Sequence, residues 1–95
     1  MIKEAIRVGD GIIEAILIEL GDHNFIVLRG SMGYIMCGYL NMDVADNFGD
    51  VAIKITDVGT IQDALHAVAK EVSSEAKNRG IYEGQRVKDI LGLIV

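Results

Sequence analysis

The first half of the chain alternates between short apolar runs and glycine-containing turns, a pattern typical of antiparallel β-strands. Residues 2–8 alternate loosely and precede a Gly-Asp-Gly turn at positions 9–11, which predicts a first hairpin. In residues 12–20 both alternate sets are largely apolar, so we expect this strand to be central in the sheet. Residues 25–29 and 34–40 predict a further hairpin, apolar enough to be buried on both faces.

A short helix and one more strand are predicted in the middle of the chain. Asn41 or Asp43 is a suitable N-cap for the helix, and Gly49 is a suitable C-terminal stop. Residues 50–56 then alternate between apolar and polar positions, which predicts a strand with one buried face. Because Lys54 points outward in this pattern, the strand is compatible with a position at the sheet edge.

At Thr60 the apolar period changes from two residues to 3.6. Thr60 is a good N-cap, and a helical stripe predicts one long helix that ends at Gly80. A second helix is predicted from position 84 or 85 to Leu93. The two stripes consist of Ile61, Leu65, Val68, Val72 and Ala76 in the first helix, and of Val87, Ile90, Leu91 and Ile94 in the second.

These elements predict a single α+β domain over residues 1–95. An N-terminal, mainly antiparallel sheet is followed by two C-terminal helices that pack on one of its faces. The β-rich part spans residues 1–41, and the helical part spans residues 60–93. The chain lacks the regular alternation of strands and helices that a doubly wound parallel fold requires.

The apolar content of the chain is high for its length. Of the 95 residues, 51% are hydrophobic, yet a domain of this size buries only about two thirds of the surface that its unfolded chain exposes. Two helices with one apolar stripe each cover about one face of a sheet. We therefore expect the β-rich region to join copies of the chain into a dimer or a tetramer.

The charge balance disfavours two classes of partner. A net charge of -5 repels the phosphates of nucleic acids and of anionic membranes. The N-terminus carries charges where a signal peptide has its apolar region, and no apolar segment approaches the ~20 residues that span a bilayer. Together with a single cysteine, these features predict a cytoplasmic protein.

Cys37 is the candidate catalytic residue, because a nearby cation such as Arg29 can hold a lone thiol as the nucleophilic thiolate. The alternative is that Cys37 is a small buried hydrophobe inside an apolar strand. Gly38, Tyr39 and Asn41 are the further candidates for binding a ligand beside Cys37 and Arg29. A small molecule is thus a possible partner.

No other group of residues matches a known chemical motif. The glycines do not have the spacing of a phosphate loop, and turns or a bulge account for Gly30 and Gly33. We expect neither a cofactor nor a metal site, and the chain shows no recognisable catalytic motif, which leaves open whether it is an enzyme. The residues weighed as metal ligands are Asp43, Asp46, Asn47 and Asp50, whose spacing does not fit a calcium loop, and His23 and His66, which have no second ligand at a suitable spacing.

Residues 33–41, with the sequence GYIMCGYLN, carry a family resemblance. With the strand at 50–56, the helix from Thr60 and the ending at 80–84, they resemble the YunC family of domains of unknown function (DUF1805). The resemblance covers nearly the whole chain, and Cys-Gly-Tyr-Leu-Asn is its most specific part. It implies a small bacterial or archaeal domain whose N-terminal β region mediates tetramer formation.

The resemblance brings no established activity. If its Cys-Gly signature reflects chemistry, Cys37 and Gly38 are the matching positions here. Our leading hypothesis is a homo-oligomeric assembly or interaction module. The alternative is a small-molecule or redox-linked site centred on Cys37.

Overall fold

A computed structural model describes residues 1–95 and places six strands in one sheet, in the order β1-β2-β3-β4-β5-β6. Neighbouring strands are antiparallel except for β4 and β5, which are parallel. The predicted α+β class with a mainly antiparallel N-terminal sheet is confirmed. The strands are β1 (Ile2–Val8), β2 (Gly11–Leu20), β3 (His23–Arg29), β4 (Tyr34–Met36), β5 (Ala52–Lys54) and β6 (Glu71–Val72); the helices are α1 (Met42–Phe48), α2 (Ile61–Leu65), α3 (Ser74–Asn78) and α4 (Val87–Ile90), followed by a 3-10 turn at Leu91–Leu93.

The N-terminal strands follow the predicted pattern. β1 and β2 form a hairpin, and β2 lies between β1 and β3, as its two apolar faces indicated. The strand predicted over residues 34–40 is shorter than expected, because β4 ends at Met36. Cys37 instead begins a turn in which the amide of Leu40 donates a hydrogen bond to the carbonyl of Cys37 (3.1 Å), and this turn leads the chain out of the sheet.

The inner face of the sheet carries the main core. Helices α2, α3 and α4 supply buried side chains to this core, and the predicted stripe of the last helix is fully confirmed. The core contains Ile13, Ala15, Leu17, Ile26, Leu28, Ile35 and Ile53 from the strands, and Ile61, Ala64, Ala76, Val87, Ile90, Leu91 and Ile94 from the helical region.

Helix α1 lies on the opposite, outer face of the sheet. Its Ala45 forms a second, small buried cluster with Leu40 and with Ala52 of β5. The predicted caps are confirmed: the side chain of Asn41 accepts a hydrogen bond from the amide of Val44 (3.3 Å), and Gly49 adopts a left-handed conformation at the C-terminal end. The buried contacts of helix α1 reach only β4 and β5, so the other strands stay uncovered on this face.

The suggestion that the strand at residues 50–56 lies at a sheet edge is wrong. β5 lies between β4 and β6, and Ala52 is buried under α1. The outward Lys54 is accommodated because its ammonium pairs with the carboxylate of Glu71 on β6 (3.4 Å). A charge that can discourage edge pairing therefore supports a specific cross-strand pair here.

The long helix predicted from Thr60 to Gly80 is also wrong. Thr60 is an N-cap with a reciprocal capping box to Asp63, but α2 ends at Leu65. The chain then extends to form β6, since the amide of Lys70 donates to the carbonyl of Lys54 (2.8 Å) and completes the sheet beside β5. Val68, which was expected in the buried stripe, is 51% exposed. The pairing requirement of β5 outweighs the helical periodicity of the segment.

A single polar side chain, that of Ser73, is fully buried and ties β5 to α3. Its hydroxyl donates to the carbonyl of Asp50 (2.7 Å) and accepts from the amides of Ala52 (3.0 Å) and Ala76 (3.2 Å). It thereby caps α3 and satisfies backbone groups that β4 and β6 leave unpaired.

The end of the last helical segment is held by the loop between β3 and β4. The amide of Met32 donates to the carbonyl of Ile94 (2.9 Å), and the hydroxyl of Ser31 donates to the carbonyl of Val95 (2.7 Å). Gly30 permits this close approach, since an added Cβ would collide with the carbonyl of Ile94. Gly30 thus has the structural role predicted for it.

We expect Ser73→Ala to lower the free energy of unfolding by about 2–4 kcal/mol, because it removes a helix cap and leaves buried backbone groups without partners. Chemical denaturation measures this loss. Ser74→Ala is the matched control, since Ser74 is exposed and its side chain makes no hydrogen bond in the chain; it should change stability by less than about 0.5 kcal/mol. Equal stability of both variants would contradict the role given to Ser73.

Candidate functional site

The largest cavity of the molecule lies at the edge of the sheet where β4 and β5 both end. It has a volume of about 540 Å³, which is within the usual size of a small-molecule site. Three segments surround it: the start of β3, the turn after β4 and the loop after β5. We call it the crevice; its lining residues are His23, Asn24, Cys37, Gly38, Tyr39, Thr56, Asp57, Val58 and Gly59.

The crevice results from the parallel pairing of β4 and β5. Their carboxyl ends meet at the same edge, and the amide of Ile55 still donates to the carbonyl of Met36 (2.9 Å). After β4 the chain turns toward α1 on the outer face, whereas after β5 it turns toward α2 on the inner face. Adjacent parallel strands whose connections leave to opposite faces create an opening between them, which is where α/β sheets bind ligands.

Cys37 lies at the base of the crevice and is only 4% exposed. Its thiol belongs to the main core, and its sulfur accepts a hydrogen bond from the amide of Ile26 (3.4 Å). The side chain is therefore packed as a small hydrophobe, in agreement with the structural alternative considered for it.

Only part of the predicted site comes together in the structure. Gly38 and Tyr39 lie with Cys37 in the lining of the crevice. Asn41 lies in a neighbouring depression, where it caps α1. Arg29 is at the far end of β3, opposite Tyr34, and its guanidinium pairs with the carboxylate of Glu14. Arg29 consequently does not act on the thiol of Cys37.

Sequence reasoning missed the loop after β5, which supplies four of the nine residues that line the crevice. Asp57 is the only non-glycine residue with a left-handed backbone, at φ 59°. The available signal was the Asp-Val-Gly turn at positions 57–59, which follows a strand. This turn lines a site only because β4 and β5 are parallel neighbours, and the sequence pattern did not indicate that pairing.

The rim of the crevice is fixed by hydrogen bonds around Gly59. The side-chain amide of Asn24 donates to the carbonyl of Gly59 (2.8 Å), and the amide of Gly59 donates to the carboxylate of Asp63 (3.1 Å). The amide of Thr60 donates to the same carboxylate (3.2 Å). The hydrogen bonds that the Asp63 carboxylate accepts, that of the Gly59 amide foremost, lower its pKa, because they stabilise its ionised form.

A second surface of functional interest is the part of the outer sheet face that α1 leaves uncovered. We call it the bare face; its apolar members are Ile12, Ile16, Ile18 and Leu20 of β2 with Phe25 and Val27 of β3. Ile12 is 59% exposed, Leu20 44% and Ile18 36%.

Lys3 and Arg29 of the bare face both pair with its one carboxylate. Glu14 of β2 lies between Lys3 of β1 and Arg29 of β3; its carboxylate is 2.9 Å from the ammonium of Lys3 and also contacts the guanidinium of Arg29. Lys3 first, and then Arg29, lower the pKa of Glu14. The bare face therefore carries a paired carboxylate among its apolar side chains.

The remaining acidic residues have local roles. The carboxylate of Asp46 accepts a hydrogen bond from the amide of Ser74 (2.8 Å), and that of Asp50 accepts from the hydroxyl of Tyr34 (2.8 Å). Burial, together with Asp50, raises the pKa of Tyr34 to about 12. No three His, Cys, Asp or Glu side chains come close enough to bind a metal ion together, and none of the helices could cross a bilayer.

We expect Cys37 to react with a neutral thiol reagent only when the chain unfolds, because the sulfur is buried. Cys37→Ser should destabilise the domain by about 1–3 kcal/mol, since a hydroxyl is desolvated there, and Cys37→Ala should have a smaller effect. Alkylation kinetics with and without denaturant provide the measurement. Rapid alkylation of the native protein, with a serine variant as stable as the wild type, would contradict the packing role.

We expect the carboxylate of Asp63 to make stability depend on pH on the acidic side. Its pKa is lower in the folded chain, so the native state binds fewer protons, and this contribution is present above the unfolded pKa and lost as pH falls through the folded pKa. Thermal midpoints measured from pH 6 to pH 2 should fall less steeply in Asp63→Asn than in the wild type. Asp22→Asn is the control, because Asp22 lies in an exposed turn, and an identical slope in both variants would contradict the assignment.

Comparison with known proteins identifies the chain at the level of a family. A family model described as a domain of unknown function (DUF1805) matches residues 36–94, which include both loops that line the crevice. The crystal structure of a protein of unknown function, TA1206 from Thermoplasma acidophilum, is similar over 98% of this chain and 91% of that chain, with 32% sequence identity and a TM-score of 0.94. No curated protein matches the chain. The chain belongs to the family of domains of unknown function DUF1805.

Proposed function

We propose that this chain is a self-assembling domain whose copies associate through the bare face of β1–β3. The observation that carries the proposal is the apolar surface that Ile16, Ile18 and Leu20 of β2 form with Phe25 and Val27 of β3, which no helix of the chain covers. Isolated exposed apolar residues are common on monomers, but a contiguous patch across neighbouring strands usually marks an interaction surface.

A second copy of the chain fits this surface for a geometric reason. The bare face presents the alternate side chains of a regular sheet, so two copies related by a two-fold axis would bury these apolar residues against each other. Such pairing is closed and does not continue into a fibre. It also removes the apolar bare face of the two hairpins from water.

The electrostatics of the bare face are compatible with self-association. The chain has a net charge of -5, but this face carries Lys3, Arg7 and Arg29 against the one carboxylate of Glu14. The acidic residues that make the chain negative lie mainly elsewhere. Copies that meet here therefore keep most of their acidic residues outside the contact.

The free edge of β1 supports a tetramer over a dimer. β1 has seven residues and forms the end of the sheet, so its outer backbone groups have no strand partner. Edge-to-edge pairing through β1 and face-to-face pairing through the bare face use two different surfaces. Two distinct two-fold contacts are what a closed tetramer requires.

A redox-linked role for Cys37, the alternative considered from the sequence, is not favoured. The sulfur is buried in the core, and Arg29 is engaged with Glu14 at the far end of β3. The chain has no second cysteine that could form a disulfide with Cys37. The proposal of an assembly domain therefore takes precedence.

We expect the wild-type chain to sediment at micromolar concentration with a mass of at least twice 10.3 kDa. Ile18→Glu should lower this mass toward that of a monomer, because it places an unpaired charge within the apolar contact. Analytical ultracentrifugation over a concentration series measures both.

Val68→Glu is the matched control for this experiment. Val68 is also an exposed apolar residue, but it lies after α2, away from the bare face. Its substitution should leave the mass unchanged. A wild-type chain that stays monomeric at high concentration, or an equal effect of both substitutions, would overturn the proposal.

A further inference from the structure

The crevice between β4 and β5 contains polar groups that the fold does not use. Of its polar side chains, Asn24 and Cys37 have partners within the chain. The other polar side chains of the lining make no hydrogen bond or ion pair with the rest of the protein; they are His23, Tyr39, Thr56 and Asp57. These groups are free to bind a ligand.

Asp57 is present where the backbone would favour glycine. Its φ of 59° lies in the left-handed region, which Asp adopts more readily than most residues with a Cβ but less readily than glycine. The side chain does not compensate for this, because its carboxylate has no partner in the chain. A carboxylate is thus held at the crevice without stabilising the fold.

Gly38 is a glycine at a position where the fold would accept a larger residue. Its φ lies outside the left-handed region, and an added Cβ would meet no atom within 4 Å, so the folded chain does not require glycine there. The missing side chain keeps the crevice open and its backbone accessible to another molecule.

The backbone around the crevice offers hydrogen-bond donors as well. The amides of Gly38, Tyr39, Asp57 and Val58 donate to no acceptor within the chain. The crevice therefore combines free N–H donors with the acceptor oxygens of the Asp57 carboxylate. An apolar floor is formed by Cys37 and Val58.

The charge of the lining restricts the class of ligand. The crevice has one carboxylate and no lysine or arginine, and the imidazole of His23 is its only basic side chain, so the lining favours a cationic or neutral ligand over a phosphate or a carboxylate. A cationic or neutral group with two adjacent N–H donors matches the two oxygens of a carboxylate. The ring of Tyr39, supported by that of Phe25 at a centroid distance of 6.2 Å, offers an aromatic surface for a planar ligand.

From these features we infer that the crevice is a binding site for a small planar nitrogen heterocycle without a phosphate. The amino group and the adjacent ring N–H of the heterocycle donate to the carboxylate oxygens of Asp57, and its other ring nitrogen accepts from a free backbone amide. Its ring lies against Tyr39, in the space that Gly38 leaves open. This site adjoins the bare face through which we propose assembly, because Phe25 belongs to that face and its ring contacts that of Tyr39.

The test is a titration of the ¹⁵N-labelled protein with 2-aminobenzimidazole, followed through the backbone amide resonances of Gly38, Val58 and Gly59. We expect saturable shifts at these three amides. Benzimidazole has the same ring but lacks the amino group, so it should bind about tenfold more weakly. Inorganic phosphate should shift none of the three.

Two variants separate recognition from folding. Asp57→Asn keeps a residue that tolerates the left-handed backbone but removes the charge, and it should weaken binding by about tenfold. Gly38→Leu should abolish binding by filling the crevice while the thermal midpoint stays unchanged. Asp10→Asn, in the distant β1–β2 turn, is the control and should bind like the wild type.

The inference is overturned if millimolar 2-aminobenzimidazole leaves the crevice amides unshifted, if benzimidazole or phosphate binds as tightly, or if Asp57→Asn binds as well as the wild type. The readout is independent of assembly, because the titration can be repeated on Ile18→Glu. Loss of the oligomer in that variant with binding retained would support a crevice that functions within one chain.

Discussion

The parallel pairing of β4 and β5 is the constraint on which the rest of the structure depends. A parallel pair cannot be joined by a tight turn, so the chain must cross one face of the sheet between them. That crossing contains α1, which buries Ala45 against Ala52 on the outer face. The same pairing brings two carboxyl ends to one edge, and the crevice opens between the turns that follow them.

The position of the crossing also explains why the two faces of the sheet are covered unequally. Helices α2, α3 and α4 lie on the inner face, while the short α1 lies alone on the outer face. Seven residues of helix are about 10 Å long, which covers two neighbouring strands but not the whole width of a six-stranded sheet. The strands nearest the N-terminus therefore keep one face free of any helix.

Features set by neighbouring residues were predictable from the sequence. The hairpin of β1 and β2, the caps Asn41, Gly49 and Thr60, and the burial of Cys37 each depend on a local pattern, and the structure contains them all. The order of the elements was sufficient to predict the α+β class, because strands dominate the first half of the chain and helices dominate the second.

Features set by partners distant in the chain were not predictable. Residues 66–72 have apolar positions that suit a helix, and only the unpaired edge of β5 explains why they extend into β6. The same limit applies to the candidate site. Cys37 and Gly38 were identifiable in one strand-and-turn motif, whereas Asp57 joins them through a strand pairing that no local pattern encodes.

The contact of the β3–β4 loop with Ile94 and Val95 has a consequence for how the domain forms. The hydrogen bond from Ser31 to Val95 joins residues 64 positions apart, whereas the hairpins of β1, β2 and β3 close over short loops. Loop closure over so many residues is entropically expensive, and high contact order slows folding. The hairpins can therefore form well before the last helical segment docks, with both of their apolar faces open to solvent. During that interval other copies of the chain compete with its own helices for the inner face, so the folding yield should decrease as protein concentration rises.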